Sequence, residues 1–280
     1  TRHELNEAVQ QVSKAVAART TIPILSGIKI DATYAGITFT ASDTDISIQS
    51  FVPLATPDKT IAEIERTGSV VLPAKFLVEM VKKLPHEQVQ IEVADRFQTM
   101  IRSGSTDIQL AGLDPEEFPV LPSISEDELI SVPGDQLRDM IRQTVFAVSV
   151  NESSPILTGI LWNLEQGLFK FVATDRHRLA KTAASIGSTD ISFSGIVVSG
   201  KTMSELSKLI PDQNAMVDIV VADNQVLFKL DNVLFYSRML DGTYPDTSKI
   251  IPETFKTELI LNTRQLGEAI NPAYLLSREE

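Results

Sequence analysis

The stretch Thr174-Asp175-Arg176-His177-Arg178-Leu179 gathers the most chemically suggestive side chains of the sequence. Asp175 orienting His177 as a general base, with a serine such as Ser153 as nucleophile, would make a hydrolase. Residues at i and i+2 on a strand point along one face without making a triad, and no Gly-x-Ser-x-Gly elbow accompanies them. A strand end or a binding surface explains this stretch better than catalysis. The carboxylates of Asp43 and Asp45 could hold a hard cation, but no cluster with metal-loop spacing surrounds them. The chain has no cysteine, which excludes thiol nucleophiles and thiolate metal sites, and His3, His86 and His177 lie far apart, so a His-rich zinc site is not expected. No Walker or dinucleotide fingerprint is present. The sequence reads as a binding protein without cofactor, metal or catalytic residues.

A second chemistry lies in the lysines. The segment FLVEMVKKL, with Lys75 just ahead of it, carries Lys82 and Lys83 against the single acid Glu79. Further on, Lys201 and Lys208 recur around Glu205 at the same spacing. One such helix is an ordinary solvated face. Lysines repeated at equivalent positions suggest a basic wall that follows phosphates without reading bases.

That recurrence belongs to a duplication. Glu4–Ile30 aligns without gaps on Gln136–Trp162, an offset of 132, with nine of 27 positions identical. At the same offset ASDTDIS from Ala41 falls on ATDRHRL from Ala173, so Asp43 and Asp45 stand opposite Asp175 and His177. VLPAKFLVEMVKKLP from Val71 matches VVSGKTMSELSKLIP from Val197, and Leu113-Asp114 with Phe118-Pro119 recurs as Leu240-Asp241 with Tyr244-Pro245. TRQLGEAINPAYLL from Thr263 resembles the opening helix of a third copy. Two full repeats of about 130 residues and the beginning of a third are expected.

Leu5, Ala8, Val9, Val12 and Val16 keep helical spacing, as do Leu137, Met140, Ile141, Val145 and Val148. Asp135 is the expected N-cap of the second set. Pro85 and Pro211 are expected to stop the later helices. Short runs such as GITFTAS, QVQIEV and QVLFKLDNVLFYSRML read as strands. The class is α+β, repeated domains each with two helices packed on antiparallel sheets. The exposed, proline-bearing stretches before Ser125 and Glu258 mark boundaries, giving domains 1–124, 125–256 and 257–280.

Hydrophobic residues make up 43% and charged residues 22% of 280, the balance of an ordinary globular chain. With 25 Lys and Arg against 37 Asp and Glu, the net charge of −12 excludes a uniformly basic coat and general attraction to anionic membranes. A local basic surface remains open. No apolar run reaches the ~18 residues of a membrane span and no signal peptide opens the sequence. A cytoplasmic setting without membrane contact is expected.

RTTIPILSGIKI, SDTDISI, RQTVFAVS, PILTGILW, ATDRHRLA, KTMSELSKL and SRMLDGTYPDTSKIIP together resemble the bacterial sliding clamp family, the beta subunit of DNA polymerase III. The resemblance spans the whole chain and implies the DNA-clamp fold. It implies a processivity factor, a ring of two head-to-tail protomers of three domains each around duplex DNA, with helices lining the hole. Its partners would be DNA without regard to sequence, and the polymerase and clamp loader through short peptide motifs. A peptide-recruiting scaffold that does not encircle DNA is the alternative. By the same resemblance, the strand before Thr1 and most of the third domain after Glu280 lie outside the sequence. The implied peptide pocket has a wall of Leu157, Thr174, Arg176, His177, Arg178, Leu179, Pro245, Lys249 and Ile250. Arg176 stands where relatives are often small, and Lys249 where some carry arginine, which loses the planar fork. DNA contacts map onto Arg19 and Asn151, and onto the inner-helix cations Lys75, Lys82, Lys83, Arg138, Arg142, Lys201 and Lys208. A client motif would hold a glutamine and one or two large apolar residues.

Overall fold

Helical spacing in the sequence becomes helix in the structure, with each opening helix tightening at its end. The computed structural model describes residues 1–276 except 18, 122, 123, 126, 127, 212–214, 249 and 253. Helix α1 (Arg2–Val12) buries Leu5, Ala8, Val9 and Val12, then narrows into a 3₁₀ turn over Ser13–Ala15. Strands β1 (Gly27–Thr33), β2 (Gly36–Ser42) and β3 (Ile46–Pro53) follow, then the two-residue strands β4 (Ala55–Thr56) and β5 (Lys59–Thr60). Strand β6 (Gly68–Pro73), helix α2 (Ala74–Lys83) and strands β7 (Gln90–Val93), β8 (Gln98–Ser103) and β9 (Thr106–Ala111) complete the first repeat.

The second repeat follows the same order, except that a strand precedes its first helix and no counterpart of the β4–β5 pair appears among the described residues. Strand β10 (Leu129–Pro133) and helix α3 (Gly134–Thr144) lead to β11 (Gly159–Glu165), β12 (Leu168–Thr174), β13 (Leu179–Ser185) and β14 (Phe193–Ser199). Helix α4 (Gly200–Ser207) and strands β15 (Met216–Ala222), β16 (Gln225–Leu230) and β17 (Val233–Arg238) close it. The named strand pairs are all antiparallel. Two helices and antiparallel sheets per repeat match the α+β expectation.

Sheet order exposes how the repeats join. One eight-stranded sheet runs β10-β15-β16-β17-β3-β2-β1-β6, so four strands of each repeat form a single sheet. The seam is β17 against β3, from Val233 opposite Ser50 to Ser237 opposite Ile46. Sheets β13-β12-β11-β14 and β7-β8-β9 remain within their own repeats. Val226, Phe228, Phe235 and Ile48 are fully buried across the seam region, so apolar packing backs the ladder. Residues Thr1–Tyr244 accordingly make one compact unit.

Beneath the sheets, Trp162 stacks on Phe171 at 4.9 Å and meets the edge of Phe169 at 5.4 Å. Its counterpart in the first repeat is Ile30, also buried. Gly27 and Gly159 sit at equivalent close approaches, where a β-carbon would collide with Val71 or Val197.

Several local expectations are corrected. Asp135 is not the N-cap: α3 begins at Gly134 with Pro133 in the cap position, and Asp135 accepts from the Gln136 amide inside the first turn. Proline has the fixed φ to start that helix, which displaces Asp135 inward. Helix α2, by contrast, stops as expected, with Leu84 extended as its C-cap directly before Pro85. Helix α4 stops at Ser207, four residues before Pro211, and continues only as a turn bonded from Leu209 and Ile210 to Leu206. The segment after Asp114 is not exposed throughout, because Phe118 is buried with Ala17, Ile24, Leu25 and Val71.

The second unit, Pro245–Glu280, contains helix α5 (Thr263–Leu276). Leu266, Ile270 and Tyr274 are exposed along it. Among the described residues no helix is long and apolar enough to cross a membrane.

Candidate peptide and nucleic-acid interface

Thr174-Asp175-Arg176-His177-Arg178-Leu179 spans the end of β12, a tight turn and the start of β13, so Asp175 and His177 lie in the turn rather than on a strand. Arg176 adopts φ +77°, a left-handed conformation that a side-chain-bearing residue holds only when its neighbours enforce it. The enforcing bonds are all present. Asp175 Oδ1 accepts from the amides of His177 and Arg178, each at 3.0 Å. Thr174 Oγ1 accepts from the Arg176 amide at 3.2 Å and donates to the Arg178 carbonyl at 2.7 Å.

These bonds decide the electrostatics. The two amides, and then the Arg178 guanidinium at 2.9 Å from Oδ2, hold the Asp175 carboxyl below its ordinary range. Asp175 is thereby committed to shaping the turn and orienting Arg178, so it has no geometry for orienting an imidazole base. Arg178 lies 6.0 Å over the ring of Phe146, which is itself exposed, and Arg176 donates to Ser154 Oγ at 3.1 Å. The result is a rim of two oriented guanidiniums and an imidazole.

Leu179 is half-buried beside this rim, while Leu157 and Thr174 lie beneath the surface at 3% exposure each. Leu157 packs with Val197 and Tyr244, flanked by Ile156, Leu161 and Leu240. The Tyr244 hydroxyl accepts from the Thr174 amide at 3.0 Å, tying this small core to the turn. Burial raises the Tyr244 phenol above its ordinary range. Pro245 and Ile250 are exposed residues of the second unit, and Ile250 closes a turn onto the Thr247 carbonyl. Lys249 lies outside the described residues.

The basic candidates divide by how firmly they are held. Arg138 is half-buried and donates to the carbonyls of Ile210 and Pro211 at 2.6 and 2.8 Å, joining α3 to the turn after α4. Lys82, Arg142 and Lys208 each pair with an acid one turn back on their own helix, Glu79, Asp139 and Glu205. Such exposed pairs are worth about 0–1 kcal/mol, so a phosphate can displace the acid. Lys201 approaches Asp43 of the first repeat at 4.0 Å. Lys75, Lys83, Arg19 and Asn151 are exposed, and the Asn151 side chain accepts from the Ser153 amide.

Sequence reasoning passed over Lys14, which lines a cleft with Asn6, Gln10, Arg138 and Lys208 where α1 meets the turn after α4. Burial lowers its ammonium pKa, offset by Glu205 and reinforced by Lys208. It also passed over Phe146 and the hydroxyl of Tyr244. The duplication held the signal for all three: Lys14 stands opposite Phe146, and Tyr244 stands opposite Phe118.

The family models for the DNA polymerase III beta subunit match at residues 1–122 for the N-terminal domain and 131–246 for the central domain. The beta sliding clamp of Bacillus subtilis is 51% identical over 99% of this chain and 74% of its own length. That of Staphylococcus aureus is 42% identical over 95% of this chain and 70% of its own. A crystal structure of the Bacillus subtilis DNA polymerase sliding clamp superposes with a TM-score of 0.96 at 52% identity, covering 98% of this chain and 72% of that one. The Streptococcus pyogenes beta subunit superposes at 0.92 with 32% identity, over 100% and 74% of the two chains. The repeated helix-and-sheet unit is the DNA-clamp fold, and the chain belongs to the DNA polymerase III beta subunit family, the beta sliding clamps.

Proposed function

We propose that this chain, a sliding-clamp processivity factor by family, works through two separate surfaces and a repeated seam. The first surface is a peptide dock on the second repeat. Leu179 offers apolar contact, Arg176, His177 and Arg178 offer polar anchors, and Leu157 and Thr174 support them from below. The family resemblance also assigns Pro245, Lys249 and Ile250 to the peptide pocket. A peptide with a glutamine and large apolar side chains fits that chemistry, its affinity coming from apolar burial at about 25 cal/mol per Å² less ordering costs.

The second surface is the basic helical face, with Lys75, Lys82, Lys83, Arg142, Lys201 and Lys208, the loop residues Arg19 and Asn151, and Arg138 as a partly structural member. Its contacts are to phosphates, so duplex DNA of any sequence is the ligand.

The observation that carries ring formation is the β17–β3 seam. The offset of the duplication makes β9 the counterpart of β17 and β13 the counterpart of β3. Both β9 and β13 end their sheets. Each is therefore half of another seam: β13 toward a third repeat, β9 toward the third repeat of a partner protomer, head to tail. Domains 1–124, 125–256 and 257–280 are the proposed units of that ring, and replication in the cytoplasm its setting.

Fluorescence anisotropy with duplexes of unrelated sequence, titrated across salt, tests the DNA surface. Weak, sequence-indifferent binding that falls steeply with salt is expected. Binding that ignores salt would leave a peptide scaffold as the better reading.

A further inference from the structure

The small core under the dock ends in a hydroxyl that the first repeat lacks. Tyr244 packs with Leu157 and Val197, and Phe118 packs with Leu25 and Val71 at the equivalent positions. Both rings fill the same space. Only Tyr244 reaches a backbone donor, accepting from the Thr174 amide at 3.0 Å. Thr174 then holds the turn from both sides, accepting from the Arg176 amide and donating to the Arg178 carbonyl. In the first repeat Ser42 Oγ likewise accepts from the Thr44 amide at 3.3 Å, but Phe118 offers no hydroxyl, and the turn is braced instead by the Asp43 amide on the Ile46 carbonyl at 3.1 Å and by Ser47 Oγ on Ser42 Oγ at 2.7 Å.

We propose that Tyr244 is a positioning residue for the peptide dock: its hydroxyl fixes Thr174 and thereby the left-handed turn that aims Arg176, His177 and Arg178. The proposal rests on the dock being a peptide site. Tyr244 need not touch the peptide, being buried. Removing the hydroxyl strands a buried amide donor, and the turn gains freedom that a bound peptide must then remove.

Tyr244→Phe makes the second repeat like the first at this position and preserves the packing of the ring. The probe is a fluorescent peptide of glutamine and two large apolar residues, titrated into wild type, Tyr244→Phe, Arg178→Ala and the double variant. Tyr244→Phe is expected to weaken binding by about tenfold, the scale of one buried unpaired donor. Its effect should shrink markedly in the Arg178→Ala background, because the two residues act through one turn. Amide hydrogen exchange supplies the second readout. Thr174, Arg176 and Arg178 should exchange faster in Tyr244→Phe, while Leu157 and Val197 stay protected.

Unchanged exchange at Thr174 to Arg178, or an affinity loss that adds fully to that of Arg178→Ala, would overturn the positioning role. Exchange that quickens at Leu157 and Val197 as well would also overturn it, showing a packing residue only. Should wild type fail to bind the peptide, the dock itself is wrong, whereas the exchange pattern still decides whether Tyr244 holds the turn.

Discussion

In the first repeat the turn after β2 carries Thr44 and Asp45; in the second the turn after β12 carries Arg176, His177 and Arg178. The backbone is shared. Thr44 has φ +81° where Arg176 has +77°. Asp43 Oδ1 accepts from the amides of Asp45 and Ile46, as Asp175 Oδ1 accepts from those of His177 and Arg178. What differs is the environment. The first turn lies at the seam, its Asp45 carbonyl taking the Arg238 amide at the end of β17 and its Asp43 facing Lys201. The second turn begins β13, and its Arg176 and Arg178 reach Ser154 and Phe146 of its own repeat. One structural motif thus carries Thr44, Asp45 and Ile46 in one repeat and Arg176, His177 and Arg178 in the other. The lesson is that the turn aspartate is architectural in both, and only the residues it aims are specialised.

Breaking the specialised turn at its apolar member should have the largest effect on binding. Leu179→Asp places a charge beside the rim, and peptide binding should be abolished in calorimetry while circular dichroism stays native. Leu179 is half-buried at a strand start, so the fold can tolerate the change. Equal affinity in the variant would place the dock elsewhere.

The cores of the two repeats offer a stability comparison. Trp162→Ala empties the space beside Phe169, Phe171 and Phe228 and should cost about 3–5 kcal/mol, whereas Ile30→Val at the equivalent position should cost about 0.5–1.5 kcal/mol. Urea unfolding followed by far-ultraviolet circular dichroism is the measurement, because Trp162→Ala removes the single tryptophan.

A pH titration sharpens the role of Asp175. Its carboxyl is held low, first by the His177 and Arg178 amides, so the ionised form supports the turn. That support is present above the ordinary carboxylate range and is lost only as pH falls through the depressed value. Peptide affinity should therefore show no break from Asp175 at neutral to mildly acidic pH. Asp175→Asn should weaken binding at neutral pH and remove the acid-side loss.

The smallest effect belongs to the helical cations. Lys82→Gln or Lys208→Gln should each reduce the salt slope of DNA binding by about one and alter no sequence preference. Peptide affinity should not move with either.

Much of this comparison is legible in the sequence alone. The offset of 132 aligned the two turns, the helical spacing located α1 and α3, and alternating runs located β2, β16 and β17. The seam was not legible, because strand pairing across repeats depends on which edges meet rather than on local pattern. The burial of Leu157 and Thr174 was hidden for a related reason: the 3₁₀ turn Pro155–Thr158 and the end of β12 read the same whether their side chains face water or the small core around Tyr244. Helix ends were also misplaced. Proline opens α3 at Pro133 and displaces Asp135 from the cap, while α4 unwinds well before Pro211. Tyr244 was visible only as an aromatic matching Phe118, since a hydroxyl's partner is set by three-dimensional reach.

Exchanging the turns tests the central claim most directly. Arg176→Thr, His177→Asp and Arg178→Ile together write the first repeat's residues onto the second repeat's turn, keeping Asp175 and the φ-positive position. Calorimetry with the glutamine-containing apolar peptide should show binding lost, with thermal unfolding and DNA affinity unchanged, because the aspartate still closes the turn. Undiminished peptide binding by the exchanged turn would contradict the account, since recognition would then not reside in the side chains that distinguish the two repeats.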